Sequence, residues 1–234
     1  MFTVMRRELA TYFHSPIGYI FLAAFYLFAG IAFFTGNLMM QSANLSGVFS
    51  YLFSYVLFLV PVLTMRLLSE DRRNKTDQAL LTAPITITGM VIGKFLAASL
   101  VFLLALSVSL IYALVIAMYT QPNWAAIAGN FIATLLLGLS MISIGMFISA
   151  MTESQVIAAV GGFATALLLI IVDTFADVFT QPLAKAVIIG ISFYDRYNSF
   201  LMGICELENI VFFLSVCTVF LFLTIRVFEK RRWG

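Results

Sequence analysis

Long apolar stretches alternate with short polar connections along the whole chain. Each stretch is at least as long as the ~20 residues that an α-helix needs to cross the hydrocarbon core of a bilayer. Backbone polar groups find no water inside a bilayer, so such stretches are expected to form helices. The pattern predicts an all-α, polytopic membrane protein with six transmembrane helices in one domain over residues 1–234. The spans are predicted at about 17–36, 48–68, 89–119, 124–150, 155–178 and 208–228.

The residues before the first stretch have an amphipathic pattern. Over residues 3–14, four apolar side chains recur at helical spacing, and Pro16 ends the pattern. Arg6, Arg7 and Glu8 are assigned to the opposite, polar face. The pattern predicts an interfacial amphipathic helix lying in the plane of the membrane surface, with an ordinary solvated helix as the alternative. The four apolar positions are Met5, Leu9, Tyr12 and Phe13.

Two connections carry further structural predictions. The polar island at residues 150–154 separates two long spans and predicts a tight helix–helix turn. The connection from about 179 to 207 contains Pro182 and an apolar stretch that is too short to span. We expect it to form re-entrant or surface helices on the external face rather than a seventh crossing.

Composition agrees with the hydropathy pattern. Hydrophobic residues make up 62% of the chain and charged residues 10%, and the mean hydropathy is +1.06. A soluble domain carries about 25% charged residues, so an ordinary soluble fold is excluded. Disorder is excluded as well, because it requires low hydrophobicity and high net charge.

The basic residues predict the orientation. Eleven of the 13 fall at one end of a six-span arrangement, around residues 6–7, 66–94 and 226–232. Only Lys185 and Arg196 fall at the other end. The positive-inside rule therefore places both termini in the cytoplasm.

The side chains available for catalysis are few. His14 is the single histidine, which excludes a two-histidine haem site, an HExxH zinc site and a buried Ser–His pair. Cys205 and Cys217 have neither a metal-binding spacing nor a context that favours a disulfide. No GxxxxGK[ST] loop is present, so the chain cannot hydrolyse ATP by the P-loop route. We expect no enzyme activity and no catalytic, cofactor or metal site.

Ionisable residues are also scarce inside the predicted spans. The first four have none near their centres, and Asp173 lies toward the external end of the fifth. Asp173 is a candidate for a pathway or external gate, with a helix cap at the interface as the alternative. Because no relay for a coupling ion is visible, a secondary transporter or channel is disfavoured. Uphill transport would need energy from elsewhere.

A charged connection between the second and third spans stands out. Residues 66–78 hold a dense cluster of both charges, followed by the adjacent Leu80 and Leu81 and then by Pro84. One interpretation is a solvated loop that carries positive-inside charges. An apolar tip on a charged loop favours instead a docking element for a soluble partner.

This connection resembles the cytoplasmic loop of ABC-2 type transporter permeases. Their pattern is roughly E-E-R-R-x-G-T-x-E-x-L-L-x-x-P-[IV]-[ST], followed by G-K-F/L at the next membrane helix. Three positions depart from it: Asp71 replaces the second acid, Lys75 the glycine and Gln78 the later glutamate. Residues 6–34 and 192–233 resemble the subgroup that includes gliding-motility-associated permeases, so the resemblance covers essentially the whole chain. The matching residues are Glu70, Arg72, Arg73, Thr76, Leu80, Leu81, Pro84, Ile85, Thr86 and Gly93-Lys94-Phe95.

The resemblance implies the transmembrane subunit of an ABC exporter in a bacterial cell membrane. Such permeases pair as homodimers or heterodimers, and each binds a separate ATPase subunit, two copies in all, which holds the ATP and magnesium. An auxiliary extracytoplasmic protein and membrane lipids are further expected partners, and nucleic acid is not. Residues 76–83 would form the coupling helix that docks the ATPase, with Leu80 and Leu81 as its apolar anchor. The remaining docking candidates are Glu70, Arg72, Arg73, Thr76, Asp77, Gln78 and Pro84.

Small residues at a spacing of four mark candidate dimer contacts. Ala32 and Gly36 lie on the first span, and Ala158 and Gly162 lie on the fifth. Such pairs permit close helix approach in membranes. The resemblance places the transport pathway chiefly along spans one, two and five. The alternative function is a membrane scaffold or assembly subunit of an envelope complex without transport of its own.

Overall fold

The computed structural model describes residues 2–74, 86–176, 190 and 192–233, without the side chains of 173–176 and 231–233. The described residues form helices and no strand, which confirms the all-α prediction. We number the helices in chain order. They are α1 Phe2–His14, α2 Pro16–Phe33, α3 Ser46–Thr64, α4 Ser69–Arg73, α5 Ile87–Leu106, α6 Val108–Ala117, α7 Trp124–Met151, α8 Gln155–Ala176, α9 Phe193–Leu201 and α10 Leu207–Trp233.

Six helical segments of the described chain are long and apolar enough to cross a membrane, which confirms the number predicted. The first includes a π-helical turn, Phe34–Leu38, that continues α2. We call the segments span 1 to span 6. They are Pro16–Leu38, Ser46–Arg73, Ile87–Ala117, Trp124–Met151, Gln155–Val172 and Leu207–Lys230.

Span 3 lies close to its predicted bounds of 89–119 but is not one regular helix. It is interrupted at Ser107, where α5 ends and α6 begins. Ser107 Oγ donates to the carbonyl oxygen of Leu104 at 2.6 Å, and Ser109 Oγ donates to that of Leu106 at 2.8 Å. Serine hydroxyls that bond back to the preceding turn compete with the helical ladder and bend it. Hydropathy does not show this interruption.

Span 4 is the central helix of the bundle. Two thirds (67%) of its most apolar stretch is buried inside the protein, against 17% for each of spans 5 and 6. It packs on spans 2, 3, 5 and 6 and on α9. Gly145 permits the closest approach to span 2, because a Cβ there would overlap Thr64 Oγ1. Small residues on span 4 therefore let the other helices pack closely around it.

The connections divide between the two ends of the bundle. One end, which we call the α1 end, holds α1, α4, the start of span 3, the turn after span 4 and the end of α10. The turn predicted at 150–154 is confirmed: α7 ends at Met151, α8 begins at Gln155, and Ser154 N donates to Thr152 Oγ1 at 3.1 Å. Helix α9 lies at the opposite end.

Helix α9 is inserted among the spans at that opposite end. Ser192 caps it by accepting from Asp195 N at 3.0 Å. The fully buried Tyr197 donates its hydroxyl to the carbonyl oxygen of Phe49 on span 2 at 2.7 Å and lies 2.8 Å from Thr134 Oγ1 on span 4. A helix was predicted in this connection, but α9 is anchored more firmly than a surface helix would be. Residues 177–189 of the same connection lie outside the described part.

Candidate functional site

A buried lysine joins three elements at the α1 end of the bundle. Lys94, in the second turn of α5, is 2% exposed. Its Nζ lies 3.0 Å from Glu8 Oε1 on α1 and 2.8 Å from Asp71 Oδ2 on α4, and it donates to the carbonyl oxygen of Leu67 at 2.7 Å. We call Glu8, Asp71 and Lys94 the Lys94 cluster. It connects the N-terminal helix with the last turn of span 2 and the first turns of span 3.

The cluster compensates the buried charge of Lys94. Its ammonium group donates to the carbonyl oxygen of Leu67 and forms ion pairs with two carboxylates. Glu8 also accepts from Arg7, at 3.1 Å. A buried ion that loses its partner is strongly destabilising, whereas a fully partnered one is tolerated. Separating α1, α4 and α5 would therefore break ion pairs of a buried charge, which costs considerable free energy.

The partners of Lys94 surround a break in span 2. Helix α3 ends at Thr64 and α4 begins at Ser69, so the backbone between them lacks a regular ladder. Ser149 Oγ, from span 4, accepts from Leu68 N at 3.1 Å and from Ser69 N at 3.0 Å, and donates to the carbonyl oxygen of Met65 at 3.2 Å. Non-helical backbone near the membrane needs such substitute partners.

Tyr12 of α1 contributes to the same region. Its hydroxyl donates to the carbonyl oxygen of Leu63, near the end of α3, at 3.0 Å. Burial, together with the nearby carboxylate of Glu8, raises the pKa of the Tyr12 phenol far above its usual range. The phenol is thus a neutral donor at physiological pH. Three separate elements, through Tyr12, Lys94 and Ser149, supply partners for the carbonyl groups around the break.

Further ion pairs flank the break on span 2. Arg66 forms a bidentate salt bridge with Glu70, in which Arg66 Nη2 lies 2.8 Å from Glu70 Oε1. Arg72 donates to the carbonyl oxygen of Ala150 at 3.2 Å and pairs with Glu153 at 3.3 Å. These contacts tie α4 to the turn between spans 4 and 5. The end of span 2 is thereby connected both to α1 and to that turn.

A cavity of about 250 Å³ opens between α1 and α4. Basic and acidic side chains line it in equal numbers, so its charge favours neither an anion nor a cation. It is better described as a mixed-charge surface than as an ion site. The charged residues that line it are Arg7, Glu8, Arg66, Glu70, Asp71 and Lys94.

The structure locates only part of the predicted docking site. Glu70 and Arg72 are engaged in contacts within the chain, and Arg73 is exposed at the end of α4. The other candidates lie outside the described residues, so the coupling helix stays a prediction. They are Thr76, Asp77, Gln78, Leu80, Leu81 and Pro84.

The small residues predicted at a dimer contact differ in whether they are packed inside the chain. Gly162 faces span 2, where a Cβ would come within 2.7 Å of Pro61 Cβ. Ala158 and Ala32 are also buried inside the chain, whereas a Cβ on Gly36 would have nothing within 4 Å. The close approach at Gly162 thus serves packing between spans 5 and 2 of one chain, and the dimer contact stays a prediction. Asp173 belongs to α8, and its side chain lies outside the described part.

The prediction for Glu8 was wrong. Its assignment to the polar face of the N-terminal helix is overturned, because Val4, Glu8 and Tyr12 form the buried stripe of α1. Two signals pointed to this arrangement: the three residues recur at a helical spacing of four, and Lys94 lies inside an apolar span where a charge needs a partner. The predicted helix over 3–14 itself is present as α1, and its position at a membrane interface stays a prediction.

These observations define a polytopic helical membrane protein whose most heavily charged region lies at one end of the bundle. Comparison with protein families identifies it further. The family described as ABC-2 family transporter protein matches residues 2–233, and the chain belongs to this family. The family resemblance seen in the loop is thus confirmed, while the gliding-motility subgroup stays a prediction. Comparison with curated proteins found no match. The chain is a multi-pass membrane protein and a permease subunit of an ABC transporter.

Proposed function

We propose that this permease forms the export or flipping pathway of its transporter as a dimer, with a second copy or a homologue, and that a separate ATPase docks on its 75–85 segment. ATP and magnesium would be bound in the ATPase, since the sequence contains no P-loop. Residues 1–234 would act as one transmembrane domain. The main support is that the chain belongs to the ABC-2 transporter family.

One structural observation carries the docking proposal. The 75–85 segment leaves α4 after Asn74 and enters α5 at Thr86, whose hydroxyl caps that helix by accepting from Gly89 N at 3.2 Å. Asp71 precedes the segment and Lys94 follows it, and Lys94 Nζ lies 2.8 Å from Asp71 Oδ2. A segment whose ends are joined in this way is a suitable place for a partner to act, because a force on it reaches spans 2 and 3 together.

The polar docking candidates can be assigned more specific roles. Leu80 and Leu81 would provide the apolar anchor, and the exposed Arg73 would supply a charged contact beside it. Glu70 and Arg72 already bond within the chain, so we assign them to holding α4 in place. The excess of basic residues at the α1 end supports a cytoplasmic location for this docking surface.

The docking proposal predicts the effect of charge at the anchor. In the variant Leu80→Glu/Leu81→Glu, we expect the complex with the cognate ATPase to be lost, because two carboxylates cannot be buried in an apolar contact without partners. The measurement is co-purification of the two subunits from membranes, followed by assay of ATP hydrolysis. Insertion of the permease into the membrane should be unchanged.

A matched control exists at the opposite end of the bundle. Met39 and Met40 are adjacent, apolar and 69% and 76% exposed. The variant Met39→Glu/Met40→Glu should keep the complex intact. If Leu80→Glu/Leu81→Glu also keeps it, the anchor assignment is wrong. If the unsubstituted permease binds no ATPase but supports assembly of an envelope complex, the scaffold alternative is favoured.

A further inference from the structure

We propose that Glu8, Asp71 and Lys94 are positioning residues that make α1, α4 and the first turns of α5 one mechanical unit, so that the N-terminal helix and span 1 move together with this end of spans 2 and 3. This inference rests on the proposed function for its consequence in transport. The mechanical unit itself rests on the contacts of the cluster and can be tested in the permease alone.

The first step is geometric. Lys94 Nζ lies within 3.0 Å of oxygens on α1, on α4 and on the break that precedes α4. Asp71 lies four positions before residue 75, and Lys94 lies in the second turn of α5, so their ion pair joins α4 to α5. Lys94 also pairs with Glu8, so the same cluster includes α1, which is far away in sequence.

The second step concerns what holds the bridge closed. Glu8 and Lys94 are the two charged side chains that are buried within the described part of the chain. Moving α1 away from α5 would break the Glu8–Lys94 ion pair and leave the buried ammonium group of Lys94 with Asp71 as its carboxylate partner, which is costly for a buried charge. The Tyr12 hydrogen bond to the carbonyl oxygen of Leu63 adds a second link between α1 and span 2, at 3.0 Å. The links act on the same face of α1, so they resist its rotation as well as its separation.

The third step follows α1 into the membrane. Helix α1 ends at His14, α2 begins at Pro16, and Ser15 N donates to the carbonyl oxygen of Thr11 at 3.0 Å. A Cβ on Gly18 would meet the carbonyl oxygen of Tyr12 at 2.5 Å, so the first turn of span 1 is packed directly on α1. A displacement of α1 is therefore passed to span 1. The cluster gives span 1 a connection to α4 and α5 that the covalent chain does not provide.

The first experiment uses the purified permease alone in lipid nanodiscs, with amide hydrogen exchange as the measurement. Glu8→Gln keeps an oxygen that can accept from Lys94 but removes the charge. We expect exchange to become about tenfold faster in α1, in residues 69–74 and in the first turns of α5 together, the size expected when a contact between two charged groups becomes one between a charged and a neutral group. Glu229→Gln breaks an exposed pair with Arg226 at 2.7 Å and is the matched control, which should leave all three regions unchanged. A change confined to α1 would overturn the mechanical unit.

The second experiment uses the complex with the ATPase. The triple variant Glu8→Gln/Asp71→Asn/Lys94→Met removes the whole ionic cluster at once and leaves no buried charge, so folding should be retained. An environment-sensitive fluorophore is placed on Arg6→Cys, an exposed position on α1, with Cys205→Ser as background. With the cluster intact, trapping with ATP and vanadate should shift the fluorophore signal.

In the triple variant, the signal shift should be lost in complexes that co-purification shows to contain the ATPase. A shift of equal size in the triple variant would overturn the role of the cluster in moving α1. If no complex forms even with the intact permease, the proposed function fails, and the hydrogen-exchange result still decides whether the mechanical unit exists.

Discussion

At the scale of single residues, Tyr12 shows how a polar side chain can serve both packing and chemistry. Its ring is part of the buried stripe of α1, and its hydroxyl supplies a donor to the carbonyl oxygen of Leu63. That carbonyl group belongs to the last turn of α3, where helical partners run out. Burial and the charge of Glu8 raise the phenol pKa, so the donor is kept protonated under all physiological conditions.

Tyr12 therefore predicts a specific sensitivity to alkaline pH. Its pKa is raised in the folded state, so the stabilisation by the neutral phenol is complete below the unfolded pKa of about 10 and is lost as the pH rises above that value. The loss should be about 1.4 kcal/mol per pH unit in this range. Tyr12→Phe should flatten the decline, as measured by thermal unfolding in detergent between about pH 9 and 11. The same slope in both proteins would contradict this account.

At the scale of elements, the break in span 2 is the feature on which the α1 end depends. A continuous helix from Ser46 to Arg73 would satisfy its own backbone, but it would not present the carbonyl oxygen of Leu67 to Lys94. The break is stabilised from outside, by the hydroxyl of Ser149 on the central helix and by groups on α1 and α5. Span 4, α1 and α5 therefore all contact span 2 at its irregular stretch.

Ser149 provides the sharpest test of the break. Ser149→Ala would leave the N–H groups of Leu68 and Ser69 without this partner, so we expect the free energy of unfolding to fall by about 1–2 kcal/mol. Ser99→Ala on α5 is the control, because Ser99 Oγ donates to the carbonyl oxygen of Phe95 in its own helix, at 2.7 Å. Reversible unfolding in mixed detergent gives both values. Equal losses would mean that Ser149 has no special role at the break.

The sequence predicts the spans well and the irregularities poorly. Long apolar runs can be recognised locally, and the turn at 150–154 is visible as a polar island in them. The breaks at residues 65–68 and at Ser107 are not visible, because they depend on side-chain hydrogen bonds and leave the hydropathy nearly unchanged. The partnership of Glu8 with Lys94 joins residues 86 positions apart. Only the general cost of a charge in an apolar span indicates that Lys94 needs such a partner.

At the scale of the whole molecule, the two ends of the bundle are built differently. The α1 end is held by buried ion pairs and by side chains that cross between spans. At the opposite end, α9 is held by aromatic packing and by the hydroxyl of Tyr197: Phe193 contacts Phe212 and Phe213, and Tyr197 contacts Phe53. The ion pair there, between Arg196 and Glu208 at 3.2 Å, has an exposed carboxylate. The α1 end, where ion pairs and hydrogen bonds join several elements, is suited to receive force from a soluble partner.

The orientation of these two ends in the membrane can be tested with a residue that the chain already has. Cys205 is exposed in the connection between α9 and α10, and Cys217 is buried in span 6. Because eleven of the 13 basic residues fall at the other end, we predict that Cys205 faces the outside of the cell. A membrane-impermeant maleimide should label it in intact spheroplasts, and Cys205→Ser should abolish the labelling. Arg6→Cys in that background should react only after the membrane is permeabilised. The reverse pattern would place α1 and the proposed docking surface outside the cell, where no ATP-dependent partner could act on them.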